Sequence, residues 1–126
     1  MCWVSFKLPI PKIATKDIVC YKIFRCRKIK WSTKMFYSLY RDYQYIAYAS
    51  NPKITINFKK FYTSPSSWSI TEGYHSYNTL FKAILERIGT SYPIVKCIIP
   101  IGSTYYLNNE DEIVSSDIIV TDEIIN

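Results

Sequence analysis

Apolar and polar residues alternate with a period of two along much of this chain, and that alternation predicts strands. Over residues 17–24, Ile18, Cys20, Lys22 and Phe24 fall on one side and Val19, Tyr21 and Ile23 on the other. Such a segment, rich in β-formers, reads as a strand with both faces partly covered. Residues 53–61 place Ile54, Ile56 and Phe58 opposite Thr55, Asn57 and Lys59, a half-exposed strand between turn signals at Asn51-Pro52 and Thr63-Ser-Pro-Ser-Ser67. Residues 94–99 leave almost no polar face at Cys97, Ile98 and Ile99, which marks a central strand. Residues 105–107 and 112–114 read as a hairpin around Asn108-Asn109-Glu110-Asp111, and residues 118–120 as a last strand.

One segment has the helical period. In residues 78–88, Leu80, Phe81, Ile84, Leu85 and Ile88 form a stripe opposite Lys82, Glu86 and Arg87. Ser76 or Asn78 can cap its start and Gly89 can take the left-handed closing position, so this helix is expected to pack on a sheet. Residues 31–49 satisfy both periods, since Phe36, Tyr37 and Tyr40 suit a helix and Tyr43, Tyr45 and Ala47 suit a strand; one or two strands are expected. Leu8-Pro-Ile-Pro-Lys12 forbids a central strand, which makes residues 1–16 an extended lead-in with regular structure beginning later, and Arg25-Cys-Arg-Lys-Ile-Lys30 a turn or an exposed strand edge. Together these elements predict an α+β fold, one small domain of mainly antiparallel β-sheet with one helix packed on it.

Composition agrees with a packed domain. The 126 residues are 48% hydrophobic and 17% aromatic with only three glycines, enough apolar surface to offset chain entropy. No apolar run is long enough to span a bilayer, and residues 1–7 lack the basic start and apolar core of a leader, so a cytoplasmic protein with no membrane role is expected. The four cysteines, Cys2, Cys20, Cys26 and Cys97, show no metal-ligand spacing, and a single histidine cannot complete a two-histidine zinc site. They read as reduced, mostly buried thiols, with no metal and no cofactor implied.

Charge is divided unevenly. Residues 1–62 carry thirteen Lys and Arg against Asp17 and Asp42, a formal +11, whereas residues 63–126 carry three against eight, a formal −5. If the basic half forms an exposed face, an anionic partner is expected, either a nucleotide or an acidic protein surface; nucleic acid is a further possibility.

Three groups of residues bear on chemistry. His75 sits between Tyr74 and Tyr77 in Glu72-Gly-Tyr-His-Ser-Tyr77, which reads as a Gly-led turn before the helix. Its imidazole can organise that turn, touch a ligand, or act as an acid or base if Glu72 folds back to fix its tautomer. In the basic half, Trp31, Lys34, Tyr37 and Arg41 interleave cations with aromatic faces, the pattern that binds phosphates and stacks on bases, although tyrosines also fill the half-buried faces of small sheets. Glu110-Asp111-Glu112 has the Glu-x-Glu spacing found in ADP-ribosyltransferases, but the arginine and the Ser-Thr-Ser element of that family are matched only approximately by Arg25 and Ser64-Pro-Ser-Ser67. An acidic, solvated hairpin tip is the alternative. A protein that acts by binding, through His75, Tyr74, Tyr77, Trp31, Lys34, Tyr37 and Arg41, is therefore expected in preference to an enzyme.

Gly73-Tyr-His-Ser-Tyr77, Lys96-Cys-Ile-Ile-Pro-Ile-Gly-Ser-Thr-Tyr-Tyr106 and Glu112-Ile-Val-Ser115 resemble a pattern found in small uncharacterised proteins of gut bacteria and their phages. The Pro-x-Gly-Ser-x-Tyr-Tyr element is its specific part, and Ile101 stands here where a lysine is usual. The resemblance implies a phage-encoded host-takeover or anti-defence factor that binds a host protein or a signalling nucleotide, or a minor virion component.

Overall fold

The computed structural model describes residues 3–30, 33–38, 44–61 and 64–125. Among them the chain forms β1 (Trp3–Ser5), β2 (Lys12–Ile13), β3 (Ile18–Lys30), β4 (Thr33–Ser38), β5 (Gln44–Ile46), β6 (Lys59–Phe61), β7 (Ser64–Ile70), β8 (Tyr74–Tyr77), α1 (Leu80–Arg87), β9 (Ile94–Ile99), β10 (Thr104–Leu107), β11 (Glu112–Ser115) and β12 (Ile119–Ile125). All ladders are antiparallel. A nine-stranded sheet runs β12-β9-β3-β8-β11-β10-β2, with β4 paired to β3 and β5 to β4; a three-stranded sheet runs β1-β7-β6. This is the expected single α+β domain, mainly antiparallel sheet with one helix packed on it.

Strand β3 organises the main sheet. Its first half pairs with β9 from Ile18↔Ile99 to Ile23↔Ile94, and beyond a bulge its second half pairs with β4. The segment 25–30, read from sequence as a turn or exposed edge, thus continues the strand. The β4–β5 hairpin folds over one face of the sheet, where Phe36 and Tyr45 join Cys20, Phe24, Val95, Cys97, Ile99, Ile113 and Val120 in the principal core. The chain after β5 closes this layer against β12 and the turn preceding it. The Tyr48 amide donates to the Val120 carbonyl at 2.7 Å, Asn51 Nδ2 to the Ile118 carbonyl at 3.0 Å, and the Ile54 amide to the Ser116 carbonyl at 2.9 Å.

Two smaller cores lie on the opposite face. In one, Ala83 of α1 packs with Ile23, Tyr77 and Ile94. In the other, Trp3, Ile70, Tyr106 and Val114 join the small sheet to β10 and β11.

The structure corrects several expectations. Residues 3–5 and 12–13 are strands, so the lead-in is partly regular: Trp3↔Ile70 anchors β1, and β2 pairs with Thr104 and Tyr105 at the sheet edge that the prolines permit. Residues 53–58 run without a ladder; Ile54 and Ile56 still turn inward, and only Lys59–Phe61 is strand. Ser64 to Ser67 belong to β7 and not to a turn. The last strand extends to Ile125.

Helix α1 is capped by Thr79, whose hydroxyl accepts from the Lys82 amide, in place of Ser76 or Asn78; Gly89 takes the expected positive φ, at 88°. Its packing differs from the stripe. Ala83 is the buried residue, while Phe81 is 71% and Ile88 74% exposed, because the helix presses its narrowest side against Tyr77 and Ile94.

Candidate functional site

Strands β3 and β8 are neighbours that pair at one position, Tyr21↔Tyr77. Next to that pair, Lys22 takes over from the ladder: its Nζ donates to the His75 carbonyl at 2.7 Å. Alternation forces this side chain inward, since Cys20 and Phe24, two residues to either side, are both fully buried. The ammonium lies 5.6 Å from the Tyr45 ring centroid and 5.9 Å from that of Phe24, a cation–π setting. Burial drives the Lys22 pKa below 10.5, against the attraction of the Cys97 and Cys20 thiols.

Around it gather further polar atoms. Cys20 and Cys97 are buried and free. The Cys97 thiol beside it, with help from Ser76 and the Lys22 charge, lowers the Cys20 pKa in spite of burial, whereas burial, followed by the Cys20 thiol, drives Cys97 well above the ordinary value. The Ser76 hydroxyl, close enough to bear on Cys20, is buried without a hydrogen-bond partner of normal geometry; that of Ser115, on β11 opposite Tyr74, is likewise buried and unpartnered. An apolar set at these positions would be cheaper to bury, so this polar cluster is a candidate for function.

Of the residues singled out from sequence, Tyr74, His75 and Tyr77 share β8, so His75 lies in a strand and not in the turn that Gly73 begins. Tyr74 is buried in the principal core with its hydroxyl donating to the Pro52 carbonyl, and Tyr77 is buried on the other face beside α1. His75 Nε2 is 3.1 Å from the Thr71 carbonyl, which places the proton on that nitrogen because a carbonyl only accepts. The two tyrosines thus support the fold from opposite faces. Lys34 and Tyr37 are placed by register on β4, opposite Ile29 and Cys26. Trp31 and Arg41 lie outside the described residues.

The Glu-x-Glu segment has structural partners. Asn108 Oδ1 accepts from the Glu110 and Glu112 amides, each at 3.0 Å, and its Nδ2 donates to the Val4 carbonyl at 3.0 Å and to Glu112 Oε1 at 2.9 Å. Glu110 lies 3.7 Å from Lys82 Nζ. Of the elements that an ADP-ribosyltransferase would need together, Arg25 stands on β3 of the large sheet and Ser64 to Ser67 on β7 of the small one.

Charge and exposure draw attention to the β2 edge, which sequence reasoning passed over. The acidic half binds cations of its own, with Lys82 paired to Glu86 and Lys96 to Glu123. On the basic half Lys7, Lys12 and Lys16 are exposed, and between them stand Phe6 (79% exposed), Leu8, Ile10 (71%) and Ile13. Ile101 is exposed close by, held by a bond from its amide to Asp17 Oδ1 at 2.9 Å. Beside this edge a cleft of about 250 Å³ opens between Lys16, Ile18, Asn78, Tyr105 and Leu107. The signal in the sequence was Leu8-Pro-Ile-Pro-Lys12, apolar residues set where prolines prevent burial in a sheet centre.

Among the described residues no helix is long and apolar enough to cross a membrane, and no three His, Cys, Asp or Glu are grouped to hold a metal ion. Comparison with protein-family models, with curated proteins and with solved structures finds no match to this chain.

Proposed function

We propose that this is a non-enzymatic binding protein that engages an acidic partner protein through the β2 edge. The observation that carries this reading is the exposed row Phe6, Leu8, Ile10 and Ile13, interleaved with Lys7, Lys12 and Lys16. Several large side chains left in water along one short segment are costly without a partner, and the lysines among them select for negative charge. An edge strand can also accept an extended segment through its backbone. In this reading, which the resemblance to phage-associated proteins supports, the partner is a bacterial host protein and the chain a host-takeover or anti-defence factor acting in the host cytoplasm. A nucleotide in the adjacent cleft, between Lys16 and Tyr105, is the second reading.

The test is affinity recovery from bacterial host lysate with the wild-type chain and with an Ile10→Glu, Lys12→Glu variant, both checked for folding by circular dichroism. A stoichiometric acidic protein retained by the wild type, released by salt and lost from the variant supports the reading. Recovery indifferent to the two substitutions refutes it, and a nucleotide released on denaturation moves the site to the cleft.

A further inference from the structure

Cys20 and Cys97 stand directly opposite each other in the antiparallel register of β3 and β9. Both side chains are fully buried on the face that forms the principal core, so the two thiols are directed to the same side of the sheet. Directly opposed residues in such a ladder have Cα atoms about 4.5–5.5 Å apart, and a disulfide accommodates Cα separations of about 4.4–6.8 Å. The register alone therefore brings the pair within bonding reach without moving either strand. Both thiols are free, and Cys97 Sγ points to the Val95 carbonyl at 3.6 Å.

The surroundings distinguish the two sulfurs. Cys20 shares its strand face with Lys22, and the Ser76 hydroxyl and the Lys22 charge both favour its thiolate; Cys97 lacks the serine and is held in its protonated form by burial. A thiolate is the reactive form of cysteine, so Cys20 is the attacking sulfur and Cys97 the resolving one.

We propose that Cys20 and Cys97 are a modification site, an oxidisable dithiol that a small peroxide converts into an intramolecular disulfide linking the central strands β3 and β9. In the first step the Cys20 thiolate attacks hydrogen peroxide; the O–O bond breaks, an S–O bond forms, and hydroxide leaves, so that Cys20 becomes a sulfenic acid. In the second, the Cys97 sulfur displaces the sulfenic oxygen. The S–S bond forms, and the Cys97 proton and the hydroxyl depart as water. The two thiols lose two electrons and the peroxide gains them. A small oxidant is needed because neither sulfur is open to a protein thiol.

The experiment exposes the folded, reduced chain to hydrogen peroxide, blocks remaining thiols under denaturing conditions, and maps peptides by mass spectrometry. The expected product is a monomer that has lost two hydrogen atoms and yields a 20–97 linked peptide, reversible by dithiothreitol. Repeating the treatment on a Cys2→Ser, Cys26→Ser chain removes the competing thiols and should leave the yield unchanged; it should also raise the urea midpoint of the oxidised over the reduced form. Links involving Cys2 or Cys26 in place of the 20–97 peptide overturn the proposal. So does gain of oxygen at Cys20 without a link, or full recovery of both thiols in the wild-type chain at peroxide levels that oxidise a free cysteine.

Discussion

Replacing Trp3 by alanine tests the least expected part of the fold, the docking of the first strand. Trp3 is buried among Ile70, Tyr106 and Val114, its ring meets that of Tyr106 edge-on at 6.3 Å, and its Nε1 donates to the Glu112 carbonyl at 3.0 Å. Truncating a buried aromatic side chain of this size costs about 3–5 kcal/mol, and the lost indole hydrogen bond adds about 0.5–1.5 kcal/mol, since the Glu112 carbonyl keeps the Asn108 amide as a donor at 3.1 Å. A domain of this size has only about 5–15 kcal/mol to lose. Trp3→Ala should therefore lower the urea midpoint severely or leave the chain unfolded. Trp3→Phe, which keeps an aromatic ring but not the N–H, should lose about 0.5–1.5 kcal/mol from the missing hydrogen bond. Far-UV circular dichroism is the suitable probe, because the substitution removes one of the three tryptophans on which fluorescence depends. A midpoint for Trp3→Ala within error of the wild type would mean that β1 does not pack on β7 and β11, and the reasoning would fail.

Other positions give independent checks. Gly73 has φ of 106°, and a Cβ there would lie 2.6 Å from Val114 Cγ1; Gly73→Ala should cost about 1–3 kcal/mol from the backbone alone, read as a drop in calorimetric Tm, and an unchanged Tm would refute the turn geometry. Asn108→Ala removes four hydrogen bonds at the hairpin tip, each worth about 0.5–1.5 kcal/mol; faster amide exchange at Glu110 and Glu112 together with a lower urea midpoint is expected. Folding depresses the Lys22 pKa below 10.5, so in that window the unfolded chain binds the extra proton and stability contributed at this site rises as pH climbs towards 10.5. In Lys22→Met this rise should vanish, and parallel pH profiles of the two urea midpoints would contradict the burial of the ammonium.

Much of the sheet was legible because alternation and burial coincide there. Residues 94–99 are apolar on both sides and do lie between β12 and β3; the hairpin of β10 and β11 is bounded by turn residues that Asn108 gathers. Alternation alone cannot say which side of a strand faces the core. Lys22 was placed with Cys20 and Phe24 on one side, yet its inward direction depends on β4 and β5 folding over that side. The helix is legible and its buried face only in part, since the sheet beneath α1 accommodates Ala83 and part of Leu80 and leaves Phe81, Ile84, Leu85 and Ile88 outside. Strand β1 has three residues and no pattern of its own; it exists because Ile70, Tyr106 and Val114, from distant segments, form a pocket for one indole. The β2 edge escaped notice in the sequence for a related reason. Interleaved cations and aromatics singled out residues 31–41, whereas exposure, which periodicity does not report, marks the β2 edge.

The pairing of β3 with β9 also constrains how the chain acquires its shape. The strand at the centre of the large sheet finds its principal partner only after most of the intervening chain has been made, and Trp3 waits for a carbonyl 109 residues later. Contacts of such separation make loop closure the slow step, so folding should be governed by a late, concerted meeting of the two ends of the chain and not by growth from one end. Until then the first half of β3 lacks its β9 partner, although its second half can already pair with β4, and the positive charges at Arg25, Arg27, Lys28 and Lys30 oppose pairing between nascent copies by mutual repulsion. The uneven distribution of charge along the sequence thus protects the chain during the interval in which it is most prone to aggregate.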